Sequence, residues 1–231
     1  MIEAINLTKL YGGIAVLNIS SIIISEGESF GLVGNNGAGK STFFRLILDL
    51  IEASSGEVRI DDKKIARRDD WKSKTGSFLD ESFLIDFLTP EEYFNFTGRV
   101  YGKSEGDVTA FLESMKEFFN GEILGSKKLI RDLSKGNQKK TGIAAALLCD
   151  PQILILDEPF TALDPTSQIR LKRILNELKV NKNITMLISS HDLNHVTEVC
   201  GRIVVLEKGL VVKDIHTTQD TLKELESYFA V

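Results

Sequence analysis

The sequence predicts an α/β protein whose core is a mostly parallel sheet, preceded by an N-terminal antiparallel β subdomain and interrupted by an inserted α-helical subdomain. Three observations carry that reading. The near-continuous apolar runs Ser29–Val33, Ile153–Leu156 and Ile184–Ile188 have the character of parallel strands buried on both faces. Stretches with apolar residues at helical spacing follow the first two, as a βα unit requires. Between about residues 84 and 133 the helical spacing takes over, as in Glu91–Val100 and Val108–Phe119, which marks an inserted lobe. At 231 residues the chain is long for one compact domain and short for two. A single domain is expected, with residues 1–83 and 149–231 as the α/β core and antiparallel subdomain, and 84–148 as the helical subdomain.

In chain order, the runs Ile2–Leu7, Ala15–Ser20 and Ser21–Ile24, with a turn signal at Tyr11-Gly12-Gly13, read as small antiparallel strands joined by hairpins. Ser29–Val33 is a strand and Thr42–Leu50 the helix after it. Gly56–Ile60 is a strand that ends in an Asp61-Asp62 turn. Beyond the helical lobe come a helix from Lys135 to Leu148, the strand Ile153–Leu156, a helix over Ser167–Lys179 and the strand Ile184–Ile188. Arg202–Leu206 and Leu210–Asp214 pair around Glu207-Lys208-Gly209, and a short terminal helix closes the sequence.

Hydrophobic residues make up 42% and charged residues 26%, enough apolar surface for a core, which excludes a disordered chain. The net charge of −5 supplies no global positive field, so nucleic acid is not an expected partner and membrane contact is expected only through another protein. The basic cluster Lys63, Lys64, Arg67, Arg68, Lys72 and Lys74 is interrupted by Asp69 and Asp70 and preceded by Asp61 and Asp62, which reads as a solvated face. Cys149 and Cys200 fall in no ligand or disulfide pattern and are expected to be reduced, buried thiols. The first residues have an acid and no apolar run where a leader has the reverse, and no segment reaches the about eighteen apolar residues of a membrane span. A soluble protein is expected.

Gly34-Asn35-Asn36-Gly37-Ala38-Gly39-Lys40-Ser41-Thr42 matches G-x-x-x-x-G-K-[ST], between a strand-like run and an amphipathic stretch, which is the context the pattern needs. Glycines let the backbone curl so that several N–H groups point into one concavity at a helix start, a site for nucleotide phosphates. Lys40 would neutralise the β- and γ-phosphates and the Ser41 hydroxyl would ligate Mg²⁺. Asp157 and Glu158 follow four aliphatic residues, at the C-terminal strand end where open α/β sheets place their ligand crevice. Such a pair has no packing purpose there. Asp157 suits Mg²⁺ or its water shell, and Glu158, pointing another way, suits activation of a water for in-line attack on the γ-phosphate.

With these motifs the chain resembles, over essentially its whole length, the ATP-binding cassette family, the nucleotide-binding subunits of ABC transporters. Leu133-Ser134-Lys135-Gly136-Asn137-Gln138 is similar to the family signature LSGGQ. Ser134 also suits the N-cap of the following helix, which makes a second helix-terminal anion site. The resemblance implies a P-loop NTPase core of the RecA-like type, ATP and Mg²⁺ as cofactors, and a signature segment (Ser134, Lys135, Gly136, Asn137) that faces the γ-phosphate held by an opposite subunit. One chain then cannot complete an active site alone. It further implies that Tyr11 stacks on adenine and that Asp164, in Ala162-Leu163-Asp164, belongs to the loop that communicates across the dimer. His191, in Ser189-Ser190-His191-Asp192, is implied to contact the γ-phosphate and orient the water. His195 and His216 match nothing and receive no role.

Two positions depart from the family pattern. Where the family has Gln at the end of the strand leading to the helical lobe, Thr75–Asp80 places Asp80, or Glu81 on a shifted alignment. A carboxylate there can still ligate Mg²⁺ but cannot donate a hydrogen bond as an amide does. The signature carries Lys135 for Gly and Asn137 for Gln, yet keeps Ser134 and Gly136, so activity is expected to survive.

The implied function is that of an ATPase subunit. Two copies, or this chain and a homologue, would sandwich two ATP–Mg²⁺ and drive a separate transmembrane permease from the cytoplasmic face of the membrane. The single cassette and its Ser-Lys-Gly signature look most like the group serving small ABC-2 type exporters. The aromatic stretch Phe83–Leu88 with Tyr93, Phe94 and Phe96 is expected mostly in the core of the helical lobe, the remainder lining a groove for a short helix of the permease. Cassettes that act on ribosomes or DNA carry a second cassette, a long coiled coil or a zinc insertion, which this sequence lacks. A weakly hydrolysing regulatory module, suggested by Asp80 and Asn137, stays open at this stage.

Overall fold

The computed structural model describes residues 1–230. From the N-terminus run β1 (Ile2–Tyr11), β2 (Ile14–Ile24), β3 (Ser29–Val33), α1 (Lys40–Ile47), β4 (Ser55–Ile60), β5 (Lys63–Lys64) and β6 (Thr75–Phe78). The helices α2 (Pro90–Val100), α3 (Glu105–Ser114), α4 (Lys116–Phe119) and α5 (Lys135–Leu148) follow. The rest alternates: β7 (Ile153–Leu156), α6 (Pro165–Lys182), β8 (Thr185–Ser190), α7 (Leu193–Val199), β9 (Arg202–Glu207), β10 (Leu210–His216) and α8 (Thr221–Phe229).

The strands form two sheets. An antiparallel sheet has the order β2-β1-β4-β5, and a six-stranded sheet has the order β10-β9-β3-β8-β7-β6. In the second, β9, β3, β8, β7 and β6 are parallel and β10 adds an antiparallel edge. The C-terminal ends of β3, β7 and β8 therefore point the same way. The loop after β3, Asp157-Glu158 after β7 and His191 after β8 emerge at one crevice.

The expected strands Ala15–Ser20 and Ser21–Ile24 are one strand, β2, paired with β1 from Ile2↔Ile24 to Tyr11↔Ile14. The burial alternation changes phase there: Leu17 and Ile19 are buried, then Ile22 and Ile24, with Ser20 and Ser21 both exposed. The partner strand absorbs the change at Asn6, which adopts φ 46°, so the ladder continues where the pattern breaks. Tyr11, expected in the turn, is the last residue of β1, and the turn is made by Gly12 and Gly13, both at positive φ. Helices α1 and α6 each begin two residues before their expected starts. For α6 the reason is Asp164, which caps the helix with Pro165 in its first turn.

The large sheet lies between two apolar layers. Ile153 and Ile155 of β7 face a core shared with Leu7 and Leu17 of the antiparallel sheet and Phe43 and Phe44 of α1. Leu154 and Leu156 face the other core, with Phe94, Phe118, Ile143 and Leu171 from the helices. Each such fully buried side chain contributes roughly 1.5–3 kcal/mol against exposure. Helix α5 presses on β6 so closely that a β-carbon on Gly142 would fall 2.1 Å from the Phe78 ring. Among the described residues no helix is long and apolar enough to cross a membrane.

Candidate nucleotide site

The loop between β3 and α1 needs its glycines for separate reasons. Gly37 and Gly39 sit at φ 83° and 109°, which side chains with a β-carbon rarely adopt. Gly34 packs so tightly under β9 that a β-carbon would lie 2.4 Å from the Leu206 carbonyl. The β9–β10 turn anchors the loop from below, Gly209 N–H donating to the Ala38 carbonyl at 2.9 Å. Asn35, Asn36, Gly37 and Ser41 are exposed. No side chain caps α1, so its first N–H groups are left to whatever the loop encloses.

Lys40 is 6% exposed, an unusual burial for an ammonium. Its Nζ donates to the Gly34 carbonyl at 2.6 Å and lies 3.3 Å from Glu158 Oε1. Glu158 Oε2 meets His191 Nδ1 at 2.8 Å and accepts the His191 N–H at 3.3 Å. Ser189 joins the two acids: its hydroxyl donates to the Asp157 carboxylate and accepts the Glu158 N–H at 2.9 Å. Asp157 is buried, and its N–H donates to the Phe78 carbonyl of β6 at 3.0 Å. The two carboxylates thus point to different partners. Glu158 Oε1 is buried and makes no hydrogen bond; the Lys40 contact is an ion pair only. That oxygen keeps the acceptor capacity a water-activating base requires.

The other predicted residues lie elsewhere. Ser134 is exposed and caps α5, its Oγ accepting the Asn137 N–H at 3.2 Å. Lys135 is exposed beside it, and Gly136 passes so near Ala162 that a β-carbon would lie 2.7 Å from that carbonyl. Asp164 caps α6 through the Ser167 N–H at 3.0 Å. The Ser167 hydroxyl, with the Ser167 N–H and Lys140 adding to it, holds the Asp164 carboxyl down at about 2. Among the described residues, no hydrogen bond or ion pair links Ser134, Asn137 or Asp164 to Lys40 or Glu158. Tyr11 is 50% exposed, with Lys9 Nζ 5.0 Å above its ring. Asp80 accepts the Ser82 N–H at 2.9 Å and lies 3.5 Å from Arg45, one turn beyond Ser41 on α1.

Three contributors escaped sequence reasoning: Ser189, Arg45 and Lys139. In the sequence Ser189 is only a neighbour of His191, and a serine at a strand end signals nothing without its partners. His195, given no role, stacks on Phe160 at 4.5 Å, and burial lowers its pKa.

A triphosphate suits this site because a glycine-lined cradle, an uncapped helix start and a buried ammonium converge there. A hard divalent cation suits it through the buried Asp157 and the exposed Ser41 hydroxyl, since magnesium commonly takes one or two protein oxygens beside phosphate. Among the described residues, no cluster of three or more His, Cys, Asp and Glu could hold a metal by itself.

Residues 17–161 match the family model described as ABC transporter. A narrower match, to the model described as AAA domain, putative AbiEii toxin, Type IV TA system, covers residues 129–196. The ABC transporter ATP-binding protein YhaQ of Bacillus subtilis is 33% identical over 99% of this chain and 74% of its own length. The bacitracin transport ATP-binding protein BcrA of Bacillus licheniformis is 31% identical over 98% of this chain and 74% of its own length. Among solved structures, the dimeric post-hydrolysis state of the ATP-binding cassette MJ0796, bound to ADP and Pi, superposes with a TM-score of 0.84 at 27% identity. That match covers 94% of this chain and 99% of the other. The phosphate loop, the paired acids on the β7 end and a match spanning more than half the chain lead to one conclusion: the protein belongs to the ATP-binding cassette family and is an ATP-binding subunit, an ATPase, of an ABC transporter.

Proposed function

We propose that two copies of this chain, or this chain and a homologue, clamp two ATP–Mg²⁺ between them and hydrolyse them to drive a separate permease. Gly34, Asn35, Asn36, Gly37, Ala38, Gly39 and Thr42 supply the cradle, Lys40 binds the β- and γ-phosphates, and Tyr11 stacks on adenine. Ser41 and Asp157, with Asp80 at the rim, are the magnesium ligands, and the bound ion would neutralise charge on the transferring phosphoryl group. Glu158 takes the proton of the attacking water while His191 holds its carboxylate in place. Ser134, Lys135, Gly136 and Asn137 of the second copy close the site, with Asp164 on the adjoining surface. The chain works as one domain, with residues 84–148 as the helical segment that carries the signature.

The observation that carries this reading is the Glu158 carboxylate, held at Oε2 by His191 and unbonded at Oε1. Glu158→Gln tests it. Phosphate release by the purified protein is expected to fall by about two orders of magnitude, with ATP still bound. Unchanged hydrolysis would remove Glu158 from the chemistry.

The permease contact is proposed at the groove bounded by Phe83, Ile85, Tyr93, Phe96 and Val100. The aromatics expected mostly in the core divide differently: Phe94 is fully buried, while Phe83, Phe87 and Phe96 are at least half exposed. An apolar groove of this kind fits a short amphipathic helix. Membrane association then comes through the permease, on the cytoplasmic face, with no role for nucleic acid. Export is the direction proposed, on the likeness of the single cassette and its Ser-Lys-Gly signature to the ATPases of small ABC-2 type exporters.

A further inference from the structure

Helix α5 buries four consecutive polar residues, Gln138, Lys139, Lys140 and Thr141. A buried ammonium persists only where it is paired, so the partners of each lysine indicate what it does. Lys140 lies 3.6 Å from both Glu122 and Asp164, on the outer side of the helix start. Lys139 turns inward. Its Nζ donates to the main-chain carbonyl of Glu158 at 2.9 Å and lies 3.8 Å from Glu81 Oε1, at the entrance to the helical segment.

Glu158 adopts φ 48°, a left-handed conformation that is costly for a residue with a β-carbon and persists where surroundings over-determine it. Its N–H is fixed by Ser189 of β8 at 2.9 Å. Its carbonyl accepts from Thr161 Oγ1 at 2.7 Å, a contact within the same turn, and from Lys139, which arrives from another element. The direction of the Glu158 carboxylate is therefore set on one side by the sheet and on the other by α5. The same helix begins at Ser134, five residues and about 7.5 Å of helix rise away.

We propose that Lys139 is a positioning residue for hydrolysis: anchored by Glu81, it ties the Glu158 main chain to the helix headed by Ser134, so the aim of the carboxylate follows the placement of that helix. A chain whose α5 is displaced binds nucleotide with a misaimed base; a chain whose α5 is seated hydrolyses it. Among the described residues, no hydrogen bond or ion pair links Lys139 to the phosphate loop, so its effect falls on turnover and leaves nucleotide affinity alone. The inference rests on Glu158 as the water-activating group.

The test is a double-mutant cycle on the purified full chain, reading kcat for phosphate release, ATP affinity and the thermal midpoint. Lys139→Met keeps the length and apolar stem of the side chain. It is expected to lower kcat about tenfold with ATP affinity within twofold, and to lower it no further in a Glu158→Gln background. Glu81→Gln, at a half-buried position that tolerates the change, gives a few-fold loss of kcat and keeps the question answerable if the methionine variant does not fold. An undiminished kcat in Lys139→Met or in Glu81→Gln overturns the inference. So does a full additional loss in the Glu158→Gln background, since Lys139 would then act elsewhere. If Glu158→Gln alone leaves turnover intact, the reading of Glu158 fails first; if it abolishes turnover while Lys139→Met does not, only the positioning role fails.

Discussion

Two helix starts in this chain belong to the proposed nucleotide site, and they are built differently. Helix α1 opens from a left-handed glycine with no side-chain cap, beside a lysine that is buried and already bonded within the loop. Helix α5 opens from an exposed serine that caps it, in a segment pressed against Ala162 of its own chain. The first presents free N–H groups and a charge in a cavity closed by β9 and the β9–β10 turn. The second presents a hydroxyl on an open surface. The first half is complete as folded, and in the proposed dimer the second would meet a ligand brought by the other copy.

The largest test of that contrast is Lys40→Ala. It removes the cation of the complete half and leaves Glu158 Oε1 buried with neither hydrogen bond nor ion pair. Hydrolysis is expected to fall about a hundredfold or more, with weaker ATP binding by the single chain. Retained ATP affinity would show that the backbone cradle alone holds the phosphates.

A smaller and more selective effect is expected from Gly136→Val in the open half. The added side chain starts 2.7 Å from the Ala162 carbonyl, and overpacking of that kind costs about 1–3 kcal/mol. The segment carrying Ser134 is pushed outward, so hydrolysis falls about tenfold while ATP binding to a single copy stays within twofold. Dimer formation with ATP, followed by light scattering in the Glu158→Gln background, should be weakened in parallel. A loss of single-chain binding would mean that the two halves are not separable.

The two halves were also unequally legible in the sequence. Gly34–Thr42 and Asp157-Glu158 are local patterns whose physics is complete within a few residues: positive-φ glycines, a helix start, acids on a buried strand end. What binds them together is not local. Ser189 lies 32 positions from the carboxylate it donates to. Arg45 reaches Asp80 across two elements, so the departure at Asp80 is a charge already partnered. Lys139 and Lys140 give no signal in the sequence because lysine is ordinarily exposed; only the packing of α5 buries both, Lys139 toward Glu158 and Lys140 beside Glu122 and Asp164. The strands were legible wherever both faces are buried, as in β3 and β7. In β2 the sequence reads as two strands for one, because Ser20 and Ser21 break the alternation while the hydrogen-bond ladder runs on.

The smallest expected effect uses pH to separate the halves without altering either anion site. His195 packs on Phe160, two residues past Glu158, and its Nε2 lies 3.5 Å from Asp192. Burial lowers its pKa, with Lys172 and His191 adding in the same direction and Asp192 and Glu198 opposing. The unfolded chain takes up that proton near the ordinary value of about 6.5, so stability is full above it and declines as pH falls toward the lowered folded value. Asp164 behaves in the same sense over a lower window. Its folded carboxyl is held at about 2, so its contribution is complete above the ordinary carboxylate range and disappears only as pH drops toward about 2. His195→Phe, which keeps the stacking, is expected to flatten the midpoint-against-pH curve just below neutrality and leave the acid limb unchanged. Asp164→Asn, which still caps α6, is expected to do the reverse. Asp164 is largely exposed, so its step is small and screened by salt. If either substitution moved both limbs, the two regions would share one titrating unit and the division between a closed half and an open half would be too sharp.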